Sequence, residues 1–438
     1  MNLILLSGGS GKRLWPLSND IRSKQFIKLF RTNDGEYESM VQRMYHGIKR
    51  VDPEADITIA SAKQQISLIH NQLDNNVDIS MEPARRDTFA AIVLACEYLH
   101  DVKHTDADAP VVICPVDPYV DDTYFEALKQ LSDLAETGAA SLNLLGIEPT
   151  YPSEKYGYII PETKEGISRV KMFREKPDAK TAEQYIAQGA LWNGGVFAFR
   201  LSYMLEKGHE LLDYTDYYDL LGKYETVKKI SFDYAVAEKE PSIQVMRYHG
   251  DWKDLGTWNT FTEAMHSDVI GNGVIADTCS NVNIINALDM PVLVMGIHDA
   301  VIAASPSGIL VADKEQSSYL KPYAEQFEDR IMFAEKSWGS YEVIDADKES
   351  LTIKITLNPG HRMNYHSHER RDEMWTVISG TGRTIVDGME QPVKAGDVIT
   401  MQAGCRHAVI ADSELKIIEV QLGKDIDVRD KIKYDWPE

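Results

Sequence analysis

The strongest constraint on this chain is a strand-like run, NLILL at residues 2–6, that passes directly into a glycine-rich loop, SGGSGKRLWPLS. Apolar runs recur at 57–60, 111–114 and 142–147, separated by helix-like stretches such as TFAAIVLACEYLH at 88–100. Strands alternating with helices predict an α/β domain, a mostly parallel sheet with helices on both faces. Ligands bind such sheets beyond the C-terminal strand ends, and the glycine loop sits at such an end. The opening MNLILLSGG has no basic region before its apolar run and no small-residue cleavage site after it. It reads as a buried first strand rather than a signal peptide.

At 438 residues, two or three domains are expected. The pattern changes near residue 270. Short β-like runs with turn signals (VNIINA, PVLVMGI, AVIAA, GILVA) fill 274–312. They suggest a small β-rich appendage at 266–315, after a first domain at 1–265. Residues 316–335 are polar, with helical character around 321–327, and read as a connector. From 336 to 438 the pattern is all β, with strands expected at 352–357, 374–379, 383–387 and 415–421.

A formal net charge of −22 argues against broad nucleic-acid binding, which needs a basic face. No run of about 18 apolar residues is present, so no membrane span is expected. Cys96, Cys114, Cys279 and Cys405 are scattered and form no CxxC pair, which fits a reducing cytoplasm.

In the loop, Gly8, Gly9 and Gly11 leave backbone N–H groups free to approach phosphate oxygens, and Arg13 adds a fixed cation that can grip two oxygens. No GK[ST] closes it, so it is not a Walker loop, and GxGxxG is absent. The whole string GGSGKRLWPL at 8–17, followed by KQF at 24–26, resembles the signature of nucleotide-sugar pyrophosphorylases. KQF resembles the mannose-1-phosphate guanylyltransferase branch of that family. The resemblance continues in order through EP at 82–83, RDT at 86–88, CPVD at 114–117, YGYI at 156–159, FREKP at 173–177, WNGGVF at 192–197, DYA at 233–235 and DLGTW at 254–258. It implies a Rossmann-like nucleotidyltransferase domain, with the base near Glu82, Arg86, Asp87 and Thr88 and the sugar near Gly157, Glu175 and Asn193. Three positions depart from the family's pattern: Asp87 for asparagine, Phe89 for alanine and Pro118 for histidine.

The chemistry such a site needs can be argued from residue types. A sugar-1-phosphate oxygen must attack the α-phosphate of a nucleoside triphosphate, so cations must screen two anions. Asp117 and Asp254 are hard oxygen ligands able to share one Mg²⁺. Arg13 and Lys24 would neutralise the triphosphate, Lys176 would hold the sugar phosphate, and Glu175 and Asn193 would bond sugar hydroxyls. Positioning and charge screening suffice without a covalent nucleophile.

In the last hundred residues, His366 and His368 lie two apart on a strand and so face one way, and Glu373 starts the next strand. A second segment supplies His407. Three imidazoles and a carboxylate suit Zn²⁺, Fe²⁺ or Mn²⁺. Arg362, four residues before His366, would share its face if no bulge intervenes. The spacing resembles that of cupins. WGSYE at 338–342, PGHR at 359–362 and IEVQ at 418–421 resemble the cupin half of type II phosphomannose isomerases, and 425–429 loosely resemble their acidic tail motif. Four residues separate His368 from Glu373, where those enzymes have two.

The resemblance therefore implies a cytoplasmic enzyme with GTP and mannose-1-phosphate as partners, Mg²⁺ as cofactor, a divalent transition metal in an all-β cupin barrel, and homo-oligomers. Nucleic acid and membrane are not expected partners. A second activity would interconvert mannose-6-phosphate and fructose-6-phosphate. The alternatives are a different sugar-1-phosphate or base, and a cupin that only binds or oligomerises.

Overall fold

The computed structural model describes residues 1–9, 12–19, 22–32, 34–73, 76–327, 331–424, 426 and 430–436. They pack as two compact units. The first comprises Met1–Ser10, Ser23–Ile66 and Asn76–His266, and the second Gly11–Arg22, Ser67–Asn75 and Ser267–Glu438.

A nine-stranded sheet forms the first unit. Its spatial order is Asp78–Glu82, Asp56–Ala62, Asn2–Leu6, Pro110–Pro115, Leu191–Arg200, Leu142–Ile147, Ile243–Tyr248, Ile167–Arg174 and Gly157–Pro161. The first four strands run parallel, and Leu142–Ile147 and Ile243–Tyr248 form a second parallel pair. Leu191–Arg200 lies antiparallel between these blocks, so the sheet is mixed. Leu3, Ile4 and Leu5 are fully buried, as a strand covered on both faces requires. The helix Asp87–Glu97 is apolar on every side, and all its residues from 89 to 97 are buried. Such a helix belongs in the core rather than on a surface. Among the described residues no helix is long and apolar enough to cross a membrane.

The second unit begins with the β-rich appendage. Val269–Ile270, Ser280–Asn286 and His298–Ser305 pair in parallel, and Gly308–Asp313 closes the sheet antiparallel. Gly273–Ile275 and Val292–Val294 make a smaller parallel pair. A one-turn helix, Gln316–Tyr319, and a short helix, Lys321–Ala324, with a proline in its first turn, follow. Two sheets then build the cupin barrel. The six-stranded one runs from Phe333–Lys336 to Val398–Met401, and the five-stranded one carries His366–Ser367 and His407–Ala411. Trp375 is fully buried in the core between them.

Two segments remote in sequence also belong to this unit. Trp15 stacks on Phe327 with ring centroids 4.9 Å apart, and Ser305 Oγ donates to the Pro16 carbonyl at 2.7 Å. Asn71 Nδ2 donates to the Lys336 carbonyl at 2.8 Å, and Gln72 Nε2 to Glu335 Oε2 at 3.0 Å.

Candidate active sites

At the C-terminal ends of the first unit's parallel strands lies a cleft of about 240 Å³. Its walls include Gly8, Gly9, Glu82, Asp87, Thr88 and Asp117. A Cβ at Gly8 would lie 3.5 Å from Glu82 Oε1, and one at Gly9 would lie 3.4 Å from Gln25 Oε1, so the loop backbone runs in ordinary contact with both side chains. Gly11 lies outside the described residues. Glu82 is buried and accepts from Tyr224 Oη at 2.8 Å. Burial pushes its carboxyl above the ordinary range, against the pull of that hydrogen bond. Asp87 is exposed with φ +69°, a left-handed conformation that is costly for a residue other than glycine and that clusters at functional sites. Its Oδ1 accepts from the Thr88 N–H, while Thr88 Oγ1 accepts from the Phe232 N–H.

Arg86 faces elsewhere. Its guanidinium donates to the carbonyls of Tyr224 and Glu225, and Arg85 lines the cleft instead. Gln25 was legible only as the centre of KQF. Its Nε2 donates to the Ser7 carbonyl at 2.9 Å, which leaves Oε1 a buried acceptor without a partner. Such an atom in a cleft wall is a place for a ligand's donor.

Lys24 sits on the one-turn helix Lys24–Phe26, with Nζ 2.9 Å from Asp117 Oδ2 and 3.3 Å from Asp254 Oδ1. One short ladder explains this meeting of residues 117 and 254. Trp252–Asp254 pairs antiparallel with Pro118–Val120, and Asp254 stands opposite Pro118, the neighbour of Asp117. Burial opposes the Lys24 charge, but the two aspartates outweigh it and hold its pKa above the ordinary value. Burial likewise raises Asp117, and Lys24 overcomes that and lowers it. The two carboxylates converge on one cation yet stay 41% and 38% exposed, open to an incoming ion. Two hard oxygen donors around one point of positive charge fit Mg²⁺.

A second polar group surrounds Glu175. Its Oε1 accepts from Lys176 Nζ at 2.7 Å, and its Oε2 is buried without a partner. Lys176 has φ +43°, a second left-handed position at a residue with a full side chain. A Cβ on Gly157 would come within 2.4 Å of Glu175 Oε2. Asn193 Nδ2 donates to Asp233 Oδ1 at 2.7 Å, and Asn193 Oδ1 accepts from the Gly195 N–H. The strand carrying Asn193 shifts register between Asn193 and Phe197, across its two glycines. Burial, helped by the Glu175 charge, pushes Asp233 up to about 6. Tyr156 joins the two groups: its ring lies 4.9 Å from that of Trp192, and its phenol is raised by burial and then by the Asp254 charge.

Arg13 is exposed on the one-turn helix Lys12–Leu14, which packs within the second unit.

In the barrel, His366, His368 and His407 are each 2% exposed, and their ligand atoms lie within 4.8 Å of one another. Each ring places Nδ1 against a backbone carbonyl, those of Asn364, Asp430 and Cys405 respectively. With Nδ1 protonated, each Nε2 is left as the donor, the usual way a protein orients metal-binding imidazoles. Glu373 completes the group, with Oε1 3.1 Å from His368 Nε2 and Oε2 3.2 Å from His407 Nε2. Burial holds His366 down to about 2 and His368 to about 4, both neutral and ready to ligate. The donors fit a divalent transition metal.

Arg371, which the sequence did not single out, donates through Nε to Glu373 Oε1 at 2.9 Å and reaches His368 Nε2 at 3.0 Å. Arg362 is exposed and lies over the Trp436 ring at 4.1 Å. The chain between Arg362 and His366 leaves the regular strand, which breaks the even-spacing argument. Glu419 and Gln421 also point into the barrel. Burial, then the Glu373 charge, pushes Glu419 up to about 8, and burial lowers Lys431 to about 8.

The first unit defines the class as a phosphate-handling α/β enzyme. Residues 2–269 match the nucleotidyl transferase family, and residues 353–421 match the cupin domain. The chain belongs to the nucleotidyl transferase family and is an enzyme of that kind. It is similar to mannose-1-phosphate guanylyltransferase ManC of Salmonella typhimurium, 28% identical over 99% of this chain and 97% of that one. It is also similar to the alginate biosynthesis protein AlgA of Pseudomonas aeruginosa, 28% identical over 96% of this chain and 93% of that one. A solved structure described as a mannose-1-phosphate geranyltransferase from Thermus thermophilus aligns with TM-score 0.62 and 28% identity, covering 74% of this chain and 98% of that one.

Proposed function

We propose that the first unit transfers a guanylyl group from GTP to mannose-1-phosphate, giving GDP-mannose and pyrophosphate. The observation that carries the reaction class is the convergence of Asp117 and Asp254 on one cation position beside a glycine-walled cleft. The full-length likeness to a named guanylyltransferase supports the choice of sugar and base. A phosphate oxygen of the sugar attacks the α-phosphorus, and the bond to the bridging oxygen of the leaving pyrophosphate breaks. Asp117 and Asp254 would hold Mg²⁺, which screens the triphosphate charge. Lys24 neutralises phosphate oxygens, and Lys176 anchors the sugar phosphate. Glu175 and Asn193 receive sugar hydroxyls, with Glu175 Oε2 an acceptor already in place. Gln25 Oε1 and Glu82 offer acceptors to the N1–H and N2–H donors that distinguish guanine. The scattered, unpaired cysteines suit a cytoplasmic reaction. A matrix of four nucleoside triphosphates against mannose-, glucose- and galactose-1-phosphate tests the reading. GTP with mannose-1-phosphate should exceed every other pair at least tenfold in kcat/KM. Another pair ahead of it would reassign the substrates.

For the barrel, the three carbonyl-oriented imidazoles support a bound Zn²⁺, Fe²⁺ or Mn²⁺. The proposed second activity is aldose–ketose isomerisation of mannose-6-phosphate. The metal would polarise the sugar carbonyl, and Glu419 and Lys431 supply acid–base groups within the barrel. Isomerase assays on metal-loaded protein separate this from a binding-only cupin.

A further inference from the structure

The first unit carries a second gathering of metal-ligating groups, away from the cleft. The helix Asp87–Glu97 does not stop at Glu97 but continues as a single π turn, Tyr98–Val102, closed by Lys103 N–H donating to the Tyr98 carbonyl. Single π turns in helices are frequent at functional sites. Glu97, His100 and Asp101 follow at helical spacing, and each offers one ligand atom within 4.8 Å of the others. Glu97 is 2% exposed, which is unusual for a carboxylate on a helix with no cation bound to it. Its Oε1 accepts from Tyr214 Oη at 2.6 Å. From the neighbouring helix Leu201–Leu211, His209 stacks on the Tyr214 ring at 4.4 Å and brings Nε2 to 3.9 Å from Glu97 Oε1. Asp101 Oδ1 lies 2.7 Å from His100 Nδ1, the carboxylate–histidine contact that orients ligating imidazoles, and its Oδ2 accepts from the Tyr217 N–H.

We propose that Glu97, His100 and Asp101, joined by His209 from the neighbouring helix, bind a zinc-class divalent ion. Nitrogen and carboxylate donors in this number are what Zn²⁺ takes. The two histidines are 44% and 48% exposed, so the ion has a route in past them to the buried Glu97. The ion would tie the end of one helix to its neighbour. That same helix begins with Asp87 and Thr88 in the cleft wall, so the ion would brace the element that forms it.

Titration of metal-free full-length protein with Zn²⁺ against a chromophoric chelator tests the proposal, with Co²⁺ absorption reporting ligand geometry. Wild type should take up two equivalents, His100→Ala/His209→Ala one, and His366→Ala/His368→Ala the other. Glu97→Gln keeps an acceptor for Tyr214 and should weaken the new site at least tenfold. Far-UV circular dichroism in chelator guards against misfolding. If wild type binds one equivalent and His100→Ala/His209→Ala none, the proposal holds and the barrel reading falls. Equal uptake by wild type and His100→Ala/His209→Ala overturns the proposal.

Discussion

A methyl group at position 157 would lie 2.4 Å from Glu175 Oε2, well inside contact distance. Gly157→Ala should therefore displace the Glu175 carboxylate, raise KM for the sugar phosphate at least tenfold and leave KM for the nucleotide within about twofold. Steady-state kinetics with each substrate varied would check it. Asp233 gives a pH prediction. In the fold its carboxyl is pushed up to about 6, above the roughly 3.9 of an unfolded chain. Between those values the folded state holds more protons, so this group's contribution to stability is lost as pH rises from about 4 to about 6. Asp233→Asn should remove that slope and raise neutral-pH stability by about 1–2 kcal/mol while cutting turnover. Urea unfolding at pH 4.5 and pH 7 measures the stability effects, and steady-state assays the turnover. At this scale the sequence was legible by motif and less so by direction. Glu82, Asp87, Thr88 and Asp117 do line one cleft. Arg85 and Arg86 are adjacent arginines, and nothing in their order says which side chain faces the cleft and which caps the carbonyls of Tyr224 and Glu225.

The ladder between Pro118–Val120 and Trp252–Asp254 is three residues long, yet it brings both candidate Mg²⁺ ligands together. Asp117→Asn and Asp254→Asn should each nearly abolish Mg²⁺-dependent transfer. Because both carboxylates would serve one ion, the double variant should be little worse than either single one. Multiplicative losses would show that they act separately. Neither short strand has the apolar alternation that makes longer ones readable, so this pairing had no local signal. The strands NLILL and LNLLGI were plain because burial on both faces demands continuous apolar side chains. The antiparallel course of Leu191–Arg200 was hidden for a different reason: strand direction is set by the connection, and a run such as LWNGGVFAFR reads alike either way. In the barrel the alternation of buried and exposed residues along Arg371–Ser379 and Leu415–Gly423 made strands easy to find. The irregular chain before His366 broke the parity that would have placed Arg362 beside the metal ligands.

Across the whole molecule, transfer and barrel chemistry should separate. His366→Ala/His368→Ala should lose the barrel metal and keep guanylyl transfer within about twofold, as metal analysis and activity on the same preparation would report. A chain ending after Phe327 keeps the partner of Trp15 but loses Glu335 and Lys336, the partners of Gln72 and Asn71. It should still fold and transfer nucleotide, with a thermal midpoint a few degrees lower. Failure to fold would mean that the barrel completes an obligate core. The stacking of Trp15 on Phe327 has a further consequence for the order of assembly on the ribosome. The arm bearing Arg13 leaves the exit tunnel well before its packing partners, which are translated roughly 300 residues later. Synthesis at about 5–20 residues per second leaves that arm without its native contacts for some 15–60 seconds. The nine-stranded sheet has all its strands by Tyr248 and can form during that wait. A product stalled before Phe327 would then hold a finished nine-stranded sheet together with an arm that has none of its native stacking, the stretch a protease should cut first.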